Sequence, residues 1–416
     1  MRRIACFVLL FSMVSSPAIA QSVDISSRTY WLGYVERAYG DIAGRLPMYE
    51  FIDLTARDLG APGLNIYASG YGMVNLYQLG GERRGWGDLD IGFLEYQDPK
   101  GRYNIRAGRL LLFNTGTFGD VVDGGSFEYD GPGGFTFKGF AGATVDEGFS
   151  DSADSYLFGG RLGDRLLWVA GMTDVGVSFV RRIEDGDVAR ELIGADLTYY
   201  APKYVNFGGE FLYDDISGRV QEVSAQLGIH PHPKVNIGLD YQYMVPSLFL
   251  SKNSIFSVFA DDGQNRAGLS ISGQTGKWSL QGAFDYILFK GETDGYTAKA
   301  GFRYDFSGEG DFVGLDAGRY RDYQNGYLMG RAYASYRLPG CFARKVRITG
   351  DVQYHHFDNN MDGVSYGIYS AISIGYRSRI GMDISAVYMF RKDPYTVHDS
   401  SGELRLSYFF GTRGKK

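Results

Sequence analysis

The stretch that most constrains the fold of this chain runs from Val364 to Arg377. Val364, Tyr366, Ile368, Ile372, Ile374 and Tyr376 take every second position, interrupted only by Ser370. Between them lie Ser365, Gly367, Tyr369, Ala371, Ser373, Gly375 and Arg377. Successive side chains of a β-strand point to opposite faces, so a strand here has one apolar face bounded by tyrosines and one small, polar face. From Tyr366 to Tyr376 an extended chain covers ~33 Å, or about 25 Å of height at the tilt of strands in a membrane barrel. That height matches the apolar band such barrels turn to lipid, rimmed at both interfaces by aromatic residues. A soluble β-sandwich alternates in the same way, but over strands of ~5–6 residues.

The pattern repeats along the chain. Val235, Ile237, Leu239, Tyr241 and Tyr243 alternate with Asn236, Gly238, Asp240 and Gln242, and Trp278, Leu280, Phe284, Tyr286 and Leu288 with Ser279, Gln281, Ala283 and Asp285. Tyr296 to Asp305, Val346 to Tyr354 and Ile380 to Phe390 follow the same rule. Repeated long strands with aromatic ends favour a transmembrane antiparallel up-and-down β-barrel, an all-β fold, over the sandwich.

The beginning of the chain agrees. Met1-Arg2-Arg3 is basic, Ile4 to Ser15 is apolar, and Pro17 to Ala20 supplies small residues for a signal peptidase, so residues 1–20 are expected to be a cleaved signal peptide and 21–416 a single barrel domain. Beyond residue 20 no apolar run is long enough for a membrane helix. An exported chain with 32 tyrosines and 59 glycines but no helical span must cross lipid as a closed barrel, which places it in a bacterial outer membrane. Without the leader the charge is −8 rather than −6, since two arginines leave with it; no basic stripe appears, so nucleic acid is not an expected partner. Of the two cysteines only Cys341 remains, so no internal disulfide forms. No haem-attachment or metal-type cysteine pattern is present, and no cofactor is expected.

Turn-forming clusters fall into two strictly alternating series. Short ones occur at 60–63, 98–101, 130–134, 163–165, 201–203, 231–233, 273–276, 307–310, 339–342 and 378–381; mostly longer or more charged ones occur near 79–85, 114–124, 146–153, 183–187, 214–218, 246–264, 291–294, 322–326, 357–363 and 392–400. This predicts about 20–22 strands, with periplasmic turns, extracellular loops and both termini in the periplasm. Thr29 to Ala38 and Met48 to Leu59 alternate poorly, which leaves the lower count open. The last run, Glu403 to Phe410, resembles the aromatic-ended strand that barrel-assembly machinery recognises, although Gly411 to Lys416 follow it.

Asn104 to Val145 contains Arg106, Gly108, Arg109, Asp120, Asp123 and Gly124 before Phe135, Phe137 and Phe140. The stretch resembles porin-like barrels of bacterial outer membranes, in which a strand ending in Gly-Arg precedes an Asp-Gly turn. It covers roughly a tenth of the chain and is low in specificity. The resemblance implies a channel and names no substrate. Arg106 falls on the small, polar register with Asn104 and Gly108; Arg109 falls on the other, where it would snorkel at a rim.

Alternation assigns to the same wet face Arg106, Lys138, Asp240, Arg266, Asp285, Lys299, Arg303, Asp305, Arg331, Arg347 and Asp351, together with Glu210, Asp316, Lys345 and Asp383. These are the candidate pore-lining residues, and because their signs are mixed no ion preference follows. The longest break, Pro246 to Gln264, is apolar, with Leu248, Phe249, Phe256 and Phe259 among its residues. Such a loop is costly in water, so it is expected to fold into the lumen as a constriction, with an extra hairpin in the wall as the alternative.

Three motif matches carry little. Gly363 to Gly367 fits Gly-x-Ser-x-Gly but lies in a strand rather than a strand-to-helix turn. Asp358 to Gly363 begins like a calcium loop, but Tyr369 stands where the bidentate glutamate belongs. His355 and His356 are adjacent and so face opposite ways in a strand. The expected function is an outer-membrane porin-like channel for passive diffusion of small hydrophilic solutes, in contact with outer-membrane lipid and not an enzyme. The alternative is a plugless sleeve, which resembles the porin-like component of porin–cytochrome conduits and would need a separate multihaem cytochrome; an outer-membrane hydrolase is a minor third class.

Overall fold

The computed structural model describes residues 22–38, 41–78, 85–114, 117–145, 152–168, 171–201, 203–249, 263–289, 294–307, 310–321, 326–338, 346–361, 364–377, 382–392 and 398–412. They form 22 strands: β1 (Ser22–Ala38), β2 (Asp41–Arg57), β3 (Leu64–Gln78), β4 (Gly85–Gln97), β5 (Tyr103–Asn114), β6 (Thr117–Asp130), β7 (Phe135–Val145), β8 (Ser152–Trp168), β9 (Gly171–Glu184), β10 (Asp187–Ala201) and β11 (Val205–Asp214), then β12 (Arg219–His232), β13 (Val235–Met244), β14 (Gln264–Thr275), β15 (Trp278–Phe289), β16 (Gly295–Asp305), β17 (Phe312–Arg321), β18 (Gly326–Arg337), β19 (Val346–Met361), β20 (Val364–Arg377), β21 (Met382–Lys392) and β22 (His398–Thr412). Each pairs antiparallel with the next, and β22 pairs back onto β1 from Val23↔Thr412 to Arg37↔His398. The sheet is therefore a closed up-and-down barrel in which every strand has a partner on each side, which is how β-structure satisfies its backbone groups in lipid. Among the described residues no helix is long and apolar enough to cross a membrane.

Register keeps faces together around the sheet. Asp240, Gly268, Asp285 and Thr297 form one row across β13 to β16. On the opposite face Leu269, Ile271, Leu280, Phe284, Leu315, Val352, Ile372 and Ile374 are all exposed. The apolar face is the convex outer one. On β15 its ends are marked by Trp278 and Tyr286, both exposed, roughly 26 Å apart along the strand. At one end Trp278 packs on Tyr304 with ring centroids 4.6 Å apart, and Phe306 on Tyr336 at 6.2 Å. At the other end Tyr241, Tyr286, Tyr354 and Tyr388 are exposed. These aromatic rims suit the two interfaces of a bilayer.

The strand count reaches the upper limit expected. β1 and β2 are full-length strands despite their weak alternation, because their outer face is partly polar: the hydroxyls of Ser27 and Thr29 both donate to Glu50 there. One expected turn is overturned. Gly163-Asp164-Arg165 is not a turn but lies within β8, and the chain reverses after Trp168. Gly163 is needed for space instead: a Cβ on it would sit 2.6 Å from Arg161 Nη1. The break read at 114–124 is also shorter, since β6 begins at Thr117. By contrast the β9–β10 hairpin turns where expected, at Asp185 and Gly186, whose φ of 52° and 86° suit a two-residue hairpin turn.

The turn between β16 and β17, on the end that carries both termini, holds a buried carboxylate. The Ser307 hydroxyl donates to Asp311 at 2.7 Å and the Arg337 amide at 2.8 Å. Ser307 first, then the Arg337 amide and nearby Arg347, hold the Asp311 carboxyl below the usual range, against burial, which pushes it up. A folded-state value below the unfolded one gives stability that is present above the ordinary carboxylate range and is lost as pH falls through the folded value. Asp311→Asn is expected to flatten that part of the acid-dependent loss of thermal stability, measured by heat-modifiable gel mobility; an unchanged acid limb would refute the role.

Candidate functional site

The inner wall is covered by ion pairs, most of them between strands. Arg106 on β5 donates to Glu95 on β4 at 2.9 Å and lies 4.0 Å from Glu128 on β6, which is 3.7 Å from Lys138 on β7. Asn104 and Asn65 also donate to Glu95, at 2.9 and 3.2 Å. On β14, Arg266 reaches Asp285 at 2.7 Å and Asp240 at 4.0 Å. On β18, Arg331 reaches Asp351 at 2.5 Å and Asp316 at 3.6 Å. Arg303 pairs with Asp305 at 2.5 Å, its guanidinium 3.9 Å from the centre of the Phe312 ring. Arg347 donates to Gly310 O at 2.6 Å and Ser335 Oγ at 2.8 Å, with Asp311 3.9 Å away.

Ten of the eleven candidates read from alternation thus join such pairs: Arg106, Lys138, Asp240, Arg266, Asp285, Arg303, Asp305, Arg331, Arg347 and Asp351. Lys299 shares the face through its row with Ala283 and Gly318 but is exposed, with no ion-pair partner among the described residues. Asp316 joins Arg331, and Glu210 lies opposite Asp196. Asp383 is in register with Arg377. Lys345 lies outside the described residues.

Glu95 and Glu128 escaped the sequence reading, and so did two whole groups of inner residues. Arg161 on β8 spans to Asp174 on β9 and to Asp196 on β10, the latter at 2.6 Å, and its side chain is 11% exposed. A Cβ at Gly176 would fall 2.4 Å from its Cζ, so that glycine makes the niche. Arg28 on β1 pairs with Asp53 on β2 at 2.9 Å, and Ser26 and Ser69 donate to the same carboxylate at 2.8 and 2.7 Å. Reading 163–165 as a turn moved the β8–β9 reversal away from Trp168 and lost the register that brings Asp174 near Arg161, and weak alternation hid Arg28 and Asp53. Signals existed: a carboxylate and an arginine on inward positions of consecutive strands.

Between the pairs lies an apolar patch. Leu110, Leu112, Val122, Phe140, Leu157, Val180 and Leu192 form one buried cluster with Phe93 packed against it. Register places it on the inner face, since Arg106↔Ser126 and Ser126↔Phe140 continue through Gly159 and Val180 to Leu192.

The Gly-Arg and Asp-Gly elements of the porin-like stretch take other places than expected. Gly108-Arg109 is mid-strand in β5 and Asp123-Gly124 is inside β6, not in a turn. Arg109 does not snorkel at a rim but forks onto Asp123, at 2.8 and 3.0 Å. Asp358 is likewise in a strand, held by both Nη atoms of Arg319. His355 and His356 face opposite ways, and His355 packs against Tyr327 and Tyr369 at 5.0 and 4.8 Å between ring centres. Among the described residues no three His, Cys, Asp or Glu side chains are grouped to hold a metal. Of the expected constriction, Leu248 and Phe249 end a short 3-10 turn, Pro246–Phe249, half-buried beyond β13 and tied to β12 by the Val245 amide on Gln221 O at 3.0 Å. Phe256 and Phe259 lie outside the described residues, and no additional wall hairpin occurs among the described ones.

Solved structures share this architecture. The translocation pore of the P pilus usher PapC matches with a TM-score of 0.50 and 10% identity, over 94% of this chain and 99% of that one. The chain has the fold of an outer-membrane β-barrel pore. Two further matches are the Pseudomonas aeruginosa protein OccK11 (OpdR), at TM-score 0.46 and 10% identity over 94% of this chain and 96% of that one, and Acinetobacter baumannii OccAB4, at 0.48 and 8% over 94% and 98%. No family model and no curated protein matches the sequence.

Proposed function

We propose that the protein is a porin-like channel of the bacterial outer membrane for passive diffusion of small hydrophilic solutes. The observation that carries this reading is the sidedness of the closed sheet: large apolar residues outside, arginines and carboxylates paired across strands inside. A polar wall stays wet, and a wet lumen open to both sides conducts. Nearly every inner arginine is held by a carboxylate on its own or a neighbouring strand, and Arg161, Arg266 and Arg331 each meet two, so the charges largely offset one another with carboxylates in modest excess. Weak discrimination between anions and cations follows.

A round barrel of this strand number would be about 45 Å across at the backbone. Narrowing such a lumen to the size of a small solute is the role proposed for Leu248 to Phe259. Purified protein in a planar bilayer is expected to give stepwise conductance with a reversal potential near zero in a potassium chloride gradient. Deleting residues 248–259 should raise the step size. Silent bilayers containing folded protein would overturn the channel reading, and unchanged steps after the deletion would overturn the constriction. Copurification with a haem-stained protein would point to the sleeve instead.

A further inference from the structure

We propose that the barrel wall has a side port between β4 and β5, through which molecules with an apolar body pass between lumen and lipid. The proposal rests on the inner face lining a space that molecules enter. Only six register pairs join these strands, from Gln97↔Asn104 to Gly92↔Arg109, the shortest ladder among the described residues; the next shortest carry nine. Beyond that point β4 continues to Gly85 bonded only to β3, and β5 continues to Asn114 bonded only to β6. The facing edges, 85–91 and 110–114, share no ladder. Two features end it. Gly108 takes φ +134°, a conformation other residues rarely adopt, and a Cβ there would lie 2.3 Å from Gly92 O. A bulge shifts the β3–β4 register between Ser69 and Gly70.

An unpaired edge in lipid must satisfy its backbone groups some other way. At Leu89 side chains do so. The Leu89 amide donates to Asp88 Oδ1 at 2.7 Å, and Arg109 Nη1 donates to Leu89 O at 2.9 Å. The rest of the Arg109 guanidinium grips Asp123 on β6, with Asp88 of β4 3.7 Å away. Arg109 is thus a latch across the gap, joined to both sides by bonds that break without unravelling a ladder.

The second observation concerns what leads to the gap. The buried apolar patch of the inner wall runs from Leu192 on β10 to Leu110 and Leu112 on the unpaired part of β5, and Phe93 on β4 closes its end. The residues of this patch are 0–7% exposed, so its apolar surface is covered in the closed wall and becomes available only where the seam parts, at Leu110 and Leu112. A hydrophilic solute gains nothing there, whereas a molecule with an apolar body does. The substrate class is therefore an amphiphile or small apolar compound moving between lumen and membrane.

The test compares two probes on intact bacteria expressing the protein: the apolar dye N-phenylnaphthylamine, which fluoresces on reaching lipid, and nitrocefin, hydrolysed in the periplasm after crossing the lumen. Leu89→Cys with Leu111→Cys, in a Cys341→Ser background, places thiols on the two edges, and bismaleimidoethane joins them. Expression is expected to speed dye entry several-fold. Cross-linking should remove that gain and leave nitrocefin entry unchanged, with the untreated double variant as its own control for folding. Arg109→Met should raise dye entry further. Dye entry indifferent to the cross-link, or no gain on expression, would overturn the port. Seam-dependent dye entry without nitrocefin entry would uphold the port while removing the hydrophilic-channel reading.

Discussion

Arginine at Ile372 is expected to cost the folded barrel about 3 kcal/mol, whereas arginine at the neighbouring Ala371 costs less than ~1 kcal/mol. Ile372 is 53% exposed on the outer face, near the middle of β20, and in lipid a guanidinium there loses its water without gaining a partner. Ala371 faces inward directly opposite Asp351, so an added arginine finds water and a carboxylate. Urea titration of folding into lipid vesicles measures both. A soluble sandwich, or a barrel turned inside out, reverses or abolishes the difference, so equal costs at the two positions would remove the membrane barrel.

Arg161→Met is expected to destabilise the barrel by about 3 kcal/mol, because removing one partner of a largely buried ion pair strands the others. Arg161 is 11% exposed and its two carboxylates, Asp174 and Asp196, are 19% and 18% exposed. Without the cation they repel across neighbouring strands. Adding Asp174→Asn and Asp196→Asn should restore most of the loss, since neutral groups of that shape bear burial far better. The same change at Arg266, 47% exposed, should cost less than ~1 kcal/mol, as expected of a solvated pair. Urea midpoints of the four proteins decide it; Arg161→Met as mild as Arg266→Met would show that the niche adds no stability.

Much of the fold is legible in the sequence. β20 has the bounds its alternation suggests, and the two alternating series of breaks anticipated hairpins closing into a ring. The exceptions share a cause. Gly163 looked like a turn because glycine marks turns, yet it serves the space around Arg161. β1 and β2 looked doubtful because Ser27, Thr29 and Glu50 satisfy one another on a face that is otherwise greasy. In each case a side chain answers to a partner on another strand.

Which way a residue faces depends on the two-residue period of the strand, a local property, so the sequence alone determined the sidedness of the wall and many of its inner charges. Which arginine meets which carboxylate depends on register between strands far apart in the chain, so Arg161 with Asp174 and Asp196 emerged only on closure. The same holds for the gap beside Arg109: a ladder stops where two backbones diverge, and only the tertiary structure brings Gly108 against Gly92.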